Sequence, residues 1–365
     1  MTPIPFTRGV PPEQVLPVTE LVKLTTEVLS ERPVELFQYP RIGANLGDDA
    51  LRAALAGRLG TTPERVFVGN GSLQVLDLLA AALLSGENKS VVVEEPTYDR
   101  ARQIFERHGG QVTGVPLRST GFAVDALADV VARVRPAFVY TIPDFQNPSG
   151  VCAGVEQRQA LVDLAERHGF AIVEDTPYRA LRYHGVELPS IADLAPERVI
   201  TVGSLSKVLS PGLRVGYAVG TPELVAGIAV RAEGTYLTPT PLTQAVAARA
   251  LEYGVVDSAI ADAVAFLKPR HDSAVAAARA AFGDALLAEP GGGYFLSVLA
   301  ESRLTEAELV AGAKAAGVTF APGSAFFPGG RLPDGKLFLR LPFQALPESD
   351  FARGARALAD VLVGR

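Results

Sequence analysis

The sequence has 365 residues, 48% of them hydrophobic and 20% charged, a balance typical of a folded protein large enough for two domains. Its net charge is −6, without blocks of like charge, so we expect no nucleic-acid partner. The single cysteine, Cys152, excludes a disulfide framework, and four scattered histidines give no metal-ligand spacing. The N-terminus lacks a signal-peptide pattern, and the apolar runs are too short to span a bilayer. We therefore expect a cytoplasmic protein that acts on small molecules, with no metal and no membrane partner.

Short β-rich runs alternate with helical patterns from about residue 45 to residue 265. In chain order, the predicted strands are 65–70, 90–96, 112–117, 137–143, 170–177, 199–208 and 214–220. The predicted helices are 72–84, 98–110, 155–169, 239–254 and 255–282. This alternation favours a mainly parallel sheet covered by helices.

The C-terminal part of the sequence has a different pattern. There, β-rich runs at 292–299, 318–327 and 336–343 are bracketed by helical patterns, which favours a smaller α+β domain. The predicted division is an N-terminal segment associated with the small domain and the site entrance (1–44), a large α/β domain (45–265) and a small domain (266–365).

Polar and aromatic residues follow the predicted strands at their C-terminal ends, where ligands bind in open α/β sheets. They are Gly69-Asn70-Gly71-Ser72, Tyr98, Asn147, Asp175, Tyr178, Ser204, Ser206 and Lys207. Taken singly, each has an ordinary explanation as a turn, a helix cap or a surface lysine. The glycine turn also approaches the dinucleotide motif G-x-G-x-x-G, but Gln74 occupies the last glycine position. The shared location of these residues, rather than any one of them, indicates a ligand site.

Six motifs in this order resemble the fold-type I enzymes that use pyridoxal 5′-phosphate (PLP): GNGSLQVLDLL, EEPTY, FQNPSG, EDTPYRALRY, SLSKVLSPGLRVGY and LFLRLPF. Within the class I and II aminotransferases, they are most similar to the kynurenine/2-aminoadipate aminotransferase subgroup, whose domain also occurs in MocR-type regulators. The resemblance covers nearly the whole chain. It implies a mainly parallel, seven-stranded sheet covered by helices, a smaller α+β domain, PLP as cofactor and a homodimer with shared active sites.

The resemblance also assigns roles to residues. Lys207 would bind PLP as a Schiff base and shuttle the substrate α-proton, both of which a lysine with a lowered pKa can do. Asp175 would keep the pyridine nitrogen protonated, so that the ring can act as an electron sink. Tyr178 and Asn147 would hydrogen-bond the phenolic oxygen, and Tyr98 would stack on the ring. The phosphate requires backbone N–H groups at a helix N-terminus, hydroxyls and a guanidinium. These would come from Gly71, Ser72, Leu73, Ser204, Ser206 and Arg214, with Tyr39 reaching the phosphate from the other subunit.

On the substrate side, the resemblance implies that Arg340 binds the α-carboxylate and that Asn147 and Gly9 line the pocket. The alternative for Arg340 is an ion pair with an internal carboxylate. Where the family has Gly-Gly, this sequence has Arg8-Gly9. Arg8 therefore either contacts an anionic or polar group of the substrate or lies on the surface. The segment that follows Tyr39 is longer than usual, so we do not carry over the family's substrate preference. Leu73 stands at a common glutamine position, which is a mild change because backbone groups do the binding.

The reaction is open to more than one interpretation. Lys207, Asp175 and Arg340 serve amino-group transfer between an L-amino acid and a 2-oxo acid, which is the reaction we predict. The same residues serve β-elimination and oxidative decarboxylation, so a PLP-dependent lyase or decarboxylating oxidase of a natural-product pathway is the alternative. A PLP-binding regulatory module is more remote, because it would require a basic winged-helix region.

Overall fold

The structure is a computed structural model of the chain, and it describes residues 3–39 and 44–364. Its strands are β1 (Ile4–Phe6), β2 (Val66–Gly69), β3 (Ser90–Glu95), β4 (Gln111–Arg118), β5 (Gly121–Phe122), β6 (Phe138–Thr141), β7 (Ala171–Asp175), β8 (Val199–Ser204), β9 (Gly216–Val219), β10 (Phe295–Glu301), β11 (Val318–Phe320) and β12 (Lys336–Pro342). Its α-helices are α1 (Val18–Glu31), α2 (Pro33–Phe37), α3 (Asp49–Arg58), α4 (Ser72–Leu83), α5 (Asp99–Arg107), α6 (Val124–Val134), α7 (Val155–His168), α8 (Ile191–Leu194), α9 (Pro222–Tyr236), α10 (Pro241–Glu252), α11 (Val255–Phe282), α12 (Glu306–Ala315) and α13 (Glu348–Leu362). Short 3₁₀ helices lie at Glu13–Val15, Ala44–Leu46, Pro63–Arg65, Gly283–Ala285, Gly323–Phe326 and Pro328–Gly330.

The central sheet has the strand order β2-β9-β8-β7-β6-β3-β4-β5. The strands from β8 to β4 are parallel to one another, whereas β9 and β5 run antiparallel to their neighbours. The prediction of a mainly parallel sheet is confirmed. The predicted count of seven strands is corrected to eight, because the two-residue strand β5 is too short to show a period-two pattern.

Burial on both faces explains why the parallel strands are so apolar. Val91, Val92 and Val93 of β3 are fully buried. On one face of the sheet, Phe105 of α5 packs against Phe138 and Tyr140 of β6, with ring centroids 5.1 and 5.2 Å apart. This contact fixes Tyr140 near the C-terminal end of its strand, at the edge where ligands bind.

The C-terminal part contains two small sheets. β10 pairs with β12 in antiparallel fashion, which sets Ser297 opposite Arg340, and β1 pairs with β11 in parallel. The predicted strand 318–327 is shorter in the structure, because the Pro322-Gly323 step begins a 3₁₀ helix.

The N-terminal segment contacts both parts of the chain. Ile4–Phe6 pairs with β11, whereas Leu24 and Val28 of α1 are buried together with residues of α3 and α10. The predicted boundary at 265/266 falls inside the continuous helix α11, and the domain limits stay predictions. No helix within the described ranges combines the length and the apolar character needed to cross a membrane.

Candidate active site

Lys207 lies between the large sheet and the N-terminal segment. Its Nζ donates a hydrogen bond to the backbone oxygen of Gly9 at 2.6 Å. Burial lowers the pKa of Lys207 to about 8, and the charges of Arg214 and Arg340 act in the same direction. The amine therefore loses its proton far more easily than an ordinary lysine, as a nucleophile and proton acceptor must.

The local sequence explains how a lysine comes to face this site. The predicted strand 199–208 ends earlier, at Ser204, because the next residues form a turn in which the Leu209 N–H donates to the Leu205 oxygen at 2.9 Å. Both leucines are buried. Because they are four residues apart, they share one side of this turn and leave Lys207 on the other.

Asp175 ends β7 and is buried. Its Oδ2 accepts a hydrogen bond from the Tyr140 hydroxyl at 2.7 Å, whereas its Oδ1 is buried with no hydrogen-bond partner among the described residues. Burial raises the pKa of Asp175 to about 7, although the hydrogen bond from Tyr140 acts in the opposite direction. An unpaired buried oxygen is costly. A protonated ring nitrogen at Oδ1 would pair this oxygen and favour the ionised carboxylate.

The glycine turn after β2 lies close to Arg214 and to the strand that carries Gly216. Gly71 has a φ of +94°, a backbone conformation that favours glycine, and its Cα faces the guanidinium of Arg214. Gly216 pairs with Gly69 on one side and with Ser204 on the other. The sheet register thus sets Ser204 level with Gly69, with Gly216 between them.

The N-terminus of α4 lies directly after the glycine turn. Helix α4 begins at Ser72, and no side chain of the described residues caps it. The first N–H groups, including that of Leu73, are therefore suited to bind an anion such as phosphate. Ser206 lies nearby, and its N–H donates to Oγ of Ser204 at 3.1 Å.

Besides Tyr140, three further tyrosines lie near Lys207 or Asp175. The ring centroids of Tyr178 and Tyr294 each lie 5.8 Å from Nζ of Lys207. Burial raises the pKa of Tyr98 to about 12, and the negative charge of Asp175 acts in the same direction. Burial also holds the pKa of Tyr178 well above its usual value, so its hydroxyl stays a hydrogen-bond donor.

Arg340 is buried in β12 and joins the small sheet to the loop that carries Asn147. Its Nη1 donates to Oδ1 of Asn147 at 3.0 Å, and its Nη2 donates to the Thr7 oxygen at 2.8 Å. The guanidinium carbon lies 5.1 and 4.6 Å from the ring centroids of Phe295 and Phe326. Among the residues that the structure describes, no carboxylate pairs with Arg340, and its buried Nε has no acceptor. The geometry therefore gives no support to the internal ion pair and leaves a cation suited to bind a substrate carboxylate.

Other predicted residues are not brought to the lysine by a single chain. Arg8 is exposed, and its backbone oxygen accepts a hydrogen bond from Nε2 of Gln344 at 2.9 Å. Tyr39 is 77% exposed, so its predicted role in a second subunit stays a prediction. Residues 40–43 of the longer segment lie outside the described residues.

Two residues of the site were not predicted from the sequence, Tyr140 beside Asp175 and Tyr294 beside Lys207. Glu94 and Gln146, which hydrogen-bond each other next to Asn147, were not predicted either. Tyr140 and Glu94 each follow a run of apolar residues within a buried strand, and that change was the available signal. Tyr294 follows the run Gly291-Gly292-Gly293, a pattern that favours close backbone approach. Gln146, next to Asn147, carried no signal of its own.

A histidine cluster lies apart from these residues, although the sequence predicted no metal site. The ligand atoms of His184, His271 and Asp272 lie within 4.8 Å of one another. Oδ1 of Asp272 is 2.6 Å from His184 Nε2 and 2.9 Å from His271 Nδ1, and the Lys268 ammonium is 2.9 Å from His184 Nδ1. Hydrogen bonds account for this cluster, and the ammonium opposes a metal cation there. We assign no metal to it.

Comparison with known proteins identifies the class of enzyme that this fold and site define. A family model for "Aminotransferase class I and II" matches residues 10–353. The chain is 31% identical to aromatic-amino-acid aminotransferase 1 of Thermococcus litoralis, covering 97% of this chain and 86% of the relative. It is 33% identical to the 2-aminoadipate transaminase of Thermus thermophilus, covering 98% and 90%. The chain therefore belongs to the class I and II aminotransferase family.

A solved structure gives the same result. The α-aminoadipate aminotransferase of Thermus thermophilus, complexed with N-(5′-phosphopyridoxyl)-L-leucine, superposes with a TM-score of 0.90 at 32% identity, covering 99% of this chain and 92% of that one. This chain is a PLP-dependent aminotransferase of fold type I, and the predictions of family, fold and amino-group transfer are confirmed. Nothing in these comparisons favours the lyase alternative. The unpaired Oδ1 of Asp175 and the uncapped N-terminus of α4 fit the ring nitrogen and the phosphate of PLP.

Replacing Tyr140 with phenylalanine should weaken PLP binding about tenfold. The change removes the hydrogen bond to Oδ2 of Asp175, and a hydrogen bond to a charged group contributes about 1.5–3 kcal/mol. The dissociation constant is measured by titrating the apoprotein with PLP and following the visible absorption. Tyr253→Phe is the matched control, because the Tyr253 hydroxyl also donates to a carboxylate, Oε1 of Glu27 at 2.7 Å, but lies on the exposed surface of the protein. It should leave PLP affinity unchanged. Equal PLP affinity in Tyr140→Phe and the unmodified protein would contradict this role.

Proposed function

We propose that Lys207 carries PLP and that Arg340 binds the α-carboxylate of the amino acid and of the 2-oxo acid. The observation that carries this proposal is the position of the Lys207 amine, whose pKa is lowered to about 8 by burial and by two flanking arginines. Arg214 packs against the glycine turn, on the side suited to phosphate. Arg340 is buried, and no carboxylate of the described residues pairs with it.

The remaining groups complete a PLP site. Asp175 would pair with the ring nitrogen through Oδ1, and Tyr178 and Asn147 would hydrogen-bond the phenolic oxygen. Tyr98 would stack on the ring, where offset stacking contributes about 1 kcal/mol. The phosphate would be held by the N-terminus of α4 together with Ser204, Ser206 and Arg214, and by Tyr39 of a second subunit. When bound, the cofactor supplies an electron sink for the α-carbon of the substrate.

Lys207 moves the proton in this proposal. With a pKa of about 8, its amine and its ammonium are both accessible near neutral pH, which suits a group that accepts the α-proton and later returns it. Arg340 fixes the substrate through its carboxylate, and Asn147 holds Arg340 at 3.0 Å. Phe295 and Phe326, both buried, keep water away from the guanidinium and thereby strengthen its charge interactions.

The substrates, the homodimer and the cytoplasmic location are further proposals. Aromatic amino acids and 2-aminoadipate are the first donors to test, because the relatives are named for them. The experiment mixes the holoenzyme with single amino acids and measures loss of the visible absorption band of the bound cofactor. A donor bleaches the band; if no L-amino acid does so, the proposal is wrong.

Replacing Arg340 with alanine should raise KM for the amino acid about 100-fold and change PLP affinity by less than about threefold, because the side chain would bind the substrate and not the cofactor. Arg340→Lys is the graded control, since it keeps the charge but not the two-pronged geometry. It should give an intermediate KM. Equal losses of PLP and substrate affinity in Arg340→Ala would argue against the carboxylate role.

A further inference from the structure

The loop Phe145–Gly150, which carries Asn147, is held in an unfavourable backbone conformation. Phe145 is fully buried and has a φ of +55°, in the left-handed region that costs free energy for a bulky residue. Such a conformation persists only where the surroundings fix it. Two sets of buried polar contacts do so, one before Phe145 and one after it.

The first set holds Asp144, the residue before the loop. Its carboxylate is buried and accepts hydrogen bonds from three arginines: Arg158 at 2.9 Å, Arg179 at 2.9 Å and Arg182 at 3.2 Å. Because these donors approach from three different positions in the chain, they fix the carboxylate and with it the start of the loop.

The second set centres on Gln146, the residue just before Asn147. Its Nε2 donates to Oε2 of Glu94 at 2.9 Å and to the Pro96 oxygen at 2.8 Å. Its Oε1 accepts from the N–H of Ser149 at 2.8 Å and from the Ser149 hydroxyl at 2.6 Å. Every polar atom of the Gln146 side chain is therefore used. The loop is tied to Glu94 of β3 and to Pro96, which lies two residues before Tyr98.

The buried carboxylate of Glu94 also accepts hydrogen bonds at both of its oxygens. Besides Gln146, it accepts from Oγ1 of Thr141 at 2.5 Å and from the N–H of Ile142. Burial raises the pKa of Glu94 to about 7. Apolar side chains of similar size can stabilise a core as well as a buried polar group does. What the polar contacts add is a defined loop position, because hydrogen bonds are directional.

We propose that Glu94 and Gln146 are positioning residues, which hold Asn147 so that its Oδ1 receives Nη1 of Arg340 and thereby set the affinity for the substrate carboxylate. The inference rests on the proposed function of Asn147 and Arg340. The side-chain hydrogen bonds of Glu94 and Gln146 go to the loop and to the ends of β3 and β6 rather than to Arg340. Their effect on Arg340 therefore passes through the loop.

Replacing Glu94 with glutamine tests this inference. The substitution keeps the side-chain shape but replaces one carboxylate oxygen with an NH₂ group. This donor then faces another donor, either Nε2 of Gln146 or the Ile142 N–H, and one hydrogen bond is lost. In the holoenzyme, KM for the amino acid should rise about tenfold with kcat changed less than about threefold. The pH midpoint of the visible cofactor band should rise as it does in Asn147→Ala, since Asn147 would no longer stabilise the ionised phenolic oxygen.

Glu174→Gln is the matched control. Glu174 is also fully buried, on strand β7, which β6 separates from β3. Its carboxylate accepts from the Ile191 and Ala192 N–H groups rather than from the loop. It should leave KM and the pH midpoint within about twofold and about 0.2 units of the unmodified enzyme. Should Glu94→Gln fold poorly, Ser149→Ala removes the 2.6 Å hydrogen bond to Gln146 and should raise KM about threefold.

A double-mutant cycle separates this inference from the proposed function. In an Asn147→Ala background, Glu94→Gln should raise KM less than about twofold further. A rise of about tenfold in that background, or an equal rise in Glu174→Gln, would overturn the positioning role while leaving the Arg340 result intact. If Arg340→Ala itself leaves KM unchanged, it is the proposed function that fails.

Discussion

Replacing Lys207 with alanine should lower kcat for amino-group transfer by on the order of 10⁴-fold, because proton transfer by a positioned side chain contributes up to about that factor. The variant also loses the amine that binds the cofactor covalently in the proposed site. Lys314→Ala is the control, since Lys314 is exposed on α12. It should keep full activity. The rate is measured by coupling production of the 2-oxo acid to a second enzyme.

The covalent role of Lys207 has a readout of its own. After borohydride reduction of the holoenzyme and proteolysis, the mass of one phosphopyridoxyl group should appear on the peptide that contains Lys207. The same treatment of Lys207→Ala should give an unmodified peptide. Label on another lysine, or full activity in Lys207→Ala, would contradict the assignment.

Replacing Asp175 with asparagine should weaken PLP binding by about 100-fold or more and slow turnover by a similar factor. The unpaired Oδ1 is buried, and removing one partner of a buried charge pair costs about 3–5 kcal/mol. Asparagine keeps the side-chain shape and can still accept from the Tyr140 hydroxyl, so the change tests the charge. PLP affinity is measured by titration of the apoprotein and turnover at saturating PLP.

Glu174→Gln is again the control, because it neutralises a fully buried carboxylate next to Asp175 in the chain. It should leave PLP affinity within about threefold of the unmodified value. If Asp175→Asn binds PLP as well as this control does, Asp175 does not pair with the ring nitrogen.

The polar residues that collect at the carboxyl ends of the strands, and the long helix α11, were predictable from the sequence. The helical pattern 255–282 has the bounds that the structure gives, and the strand-end residues Asp175 and Ser204 end β7 and β8. These features rest on local pattern: apolar strands that are buried on both faces, and polar residues that break the pattern where a strand ends.

Other features were not predictable, because they depend on contacts between distant parts of the chain. The Tyr140–Asp175 hydrogen bond joins neighbouring strands, and the bond from Arg340 to Asn147 joins residues 193 positions apart. Helix α9 was absent from the predicted elements for a local reason. Thr221-Pro222 is a helix-start signal, but Gly227 and Gly234 weaken the helical pattern that follows it.

The most direct test of the account is a half-reaction carried out without a 2-oxo acid. Holoenzyme mixed with excess donor amino acid should form no more than one equivalent of 2-oxo acid per PLP, release no ammonia and then stall. Addition of 2-oxoglutarate should restart turnover and produce glutamate. Multiple turnovers that release ammonia or a thiol in the absence of any 2-oxo acid would contradict amino-group transfer.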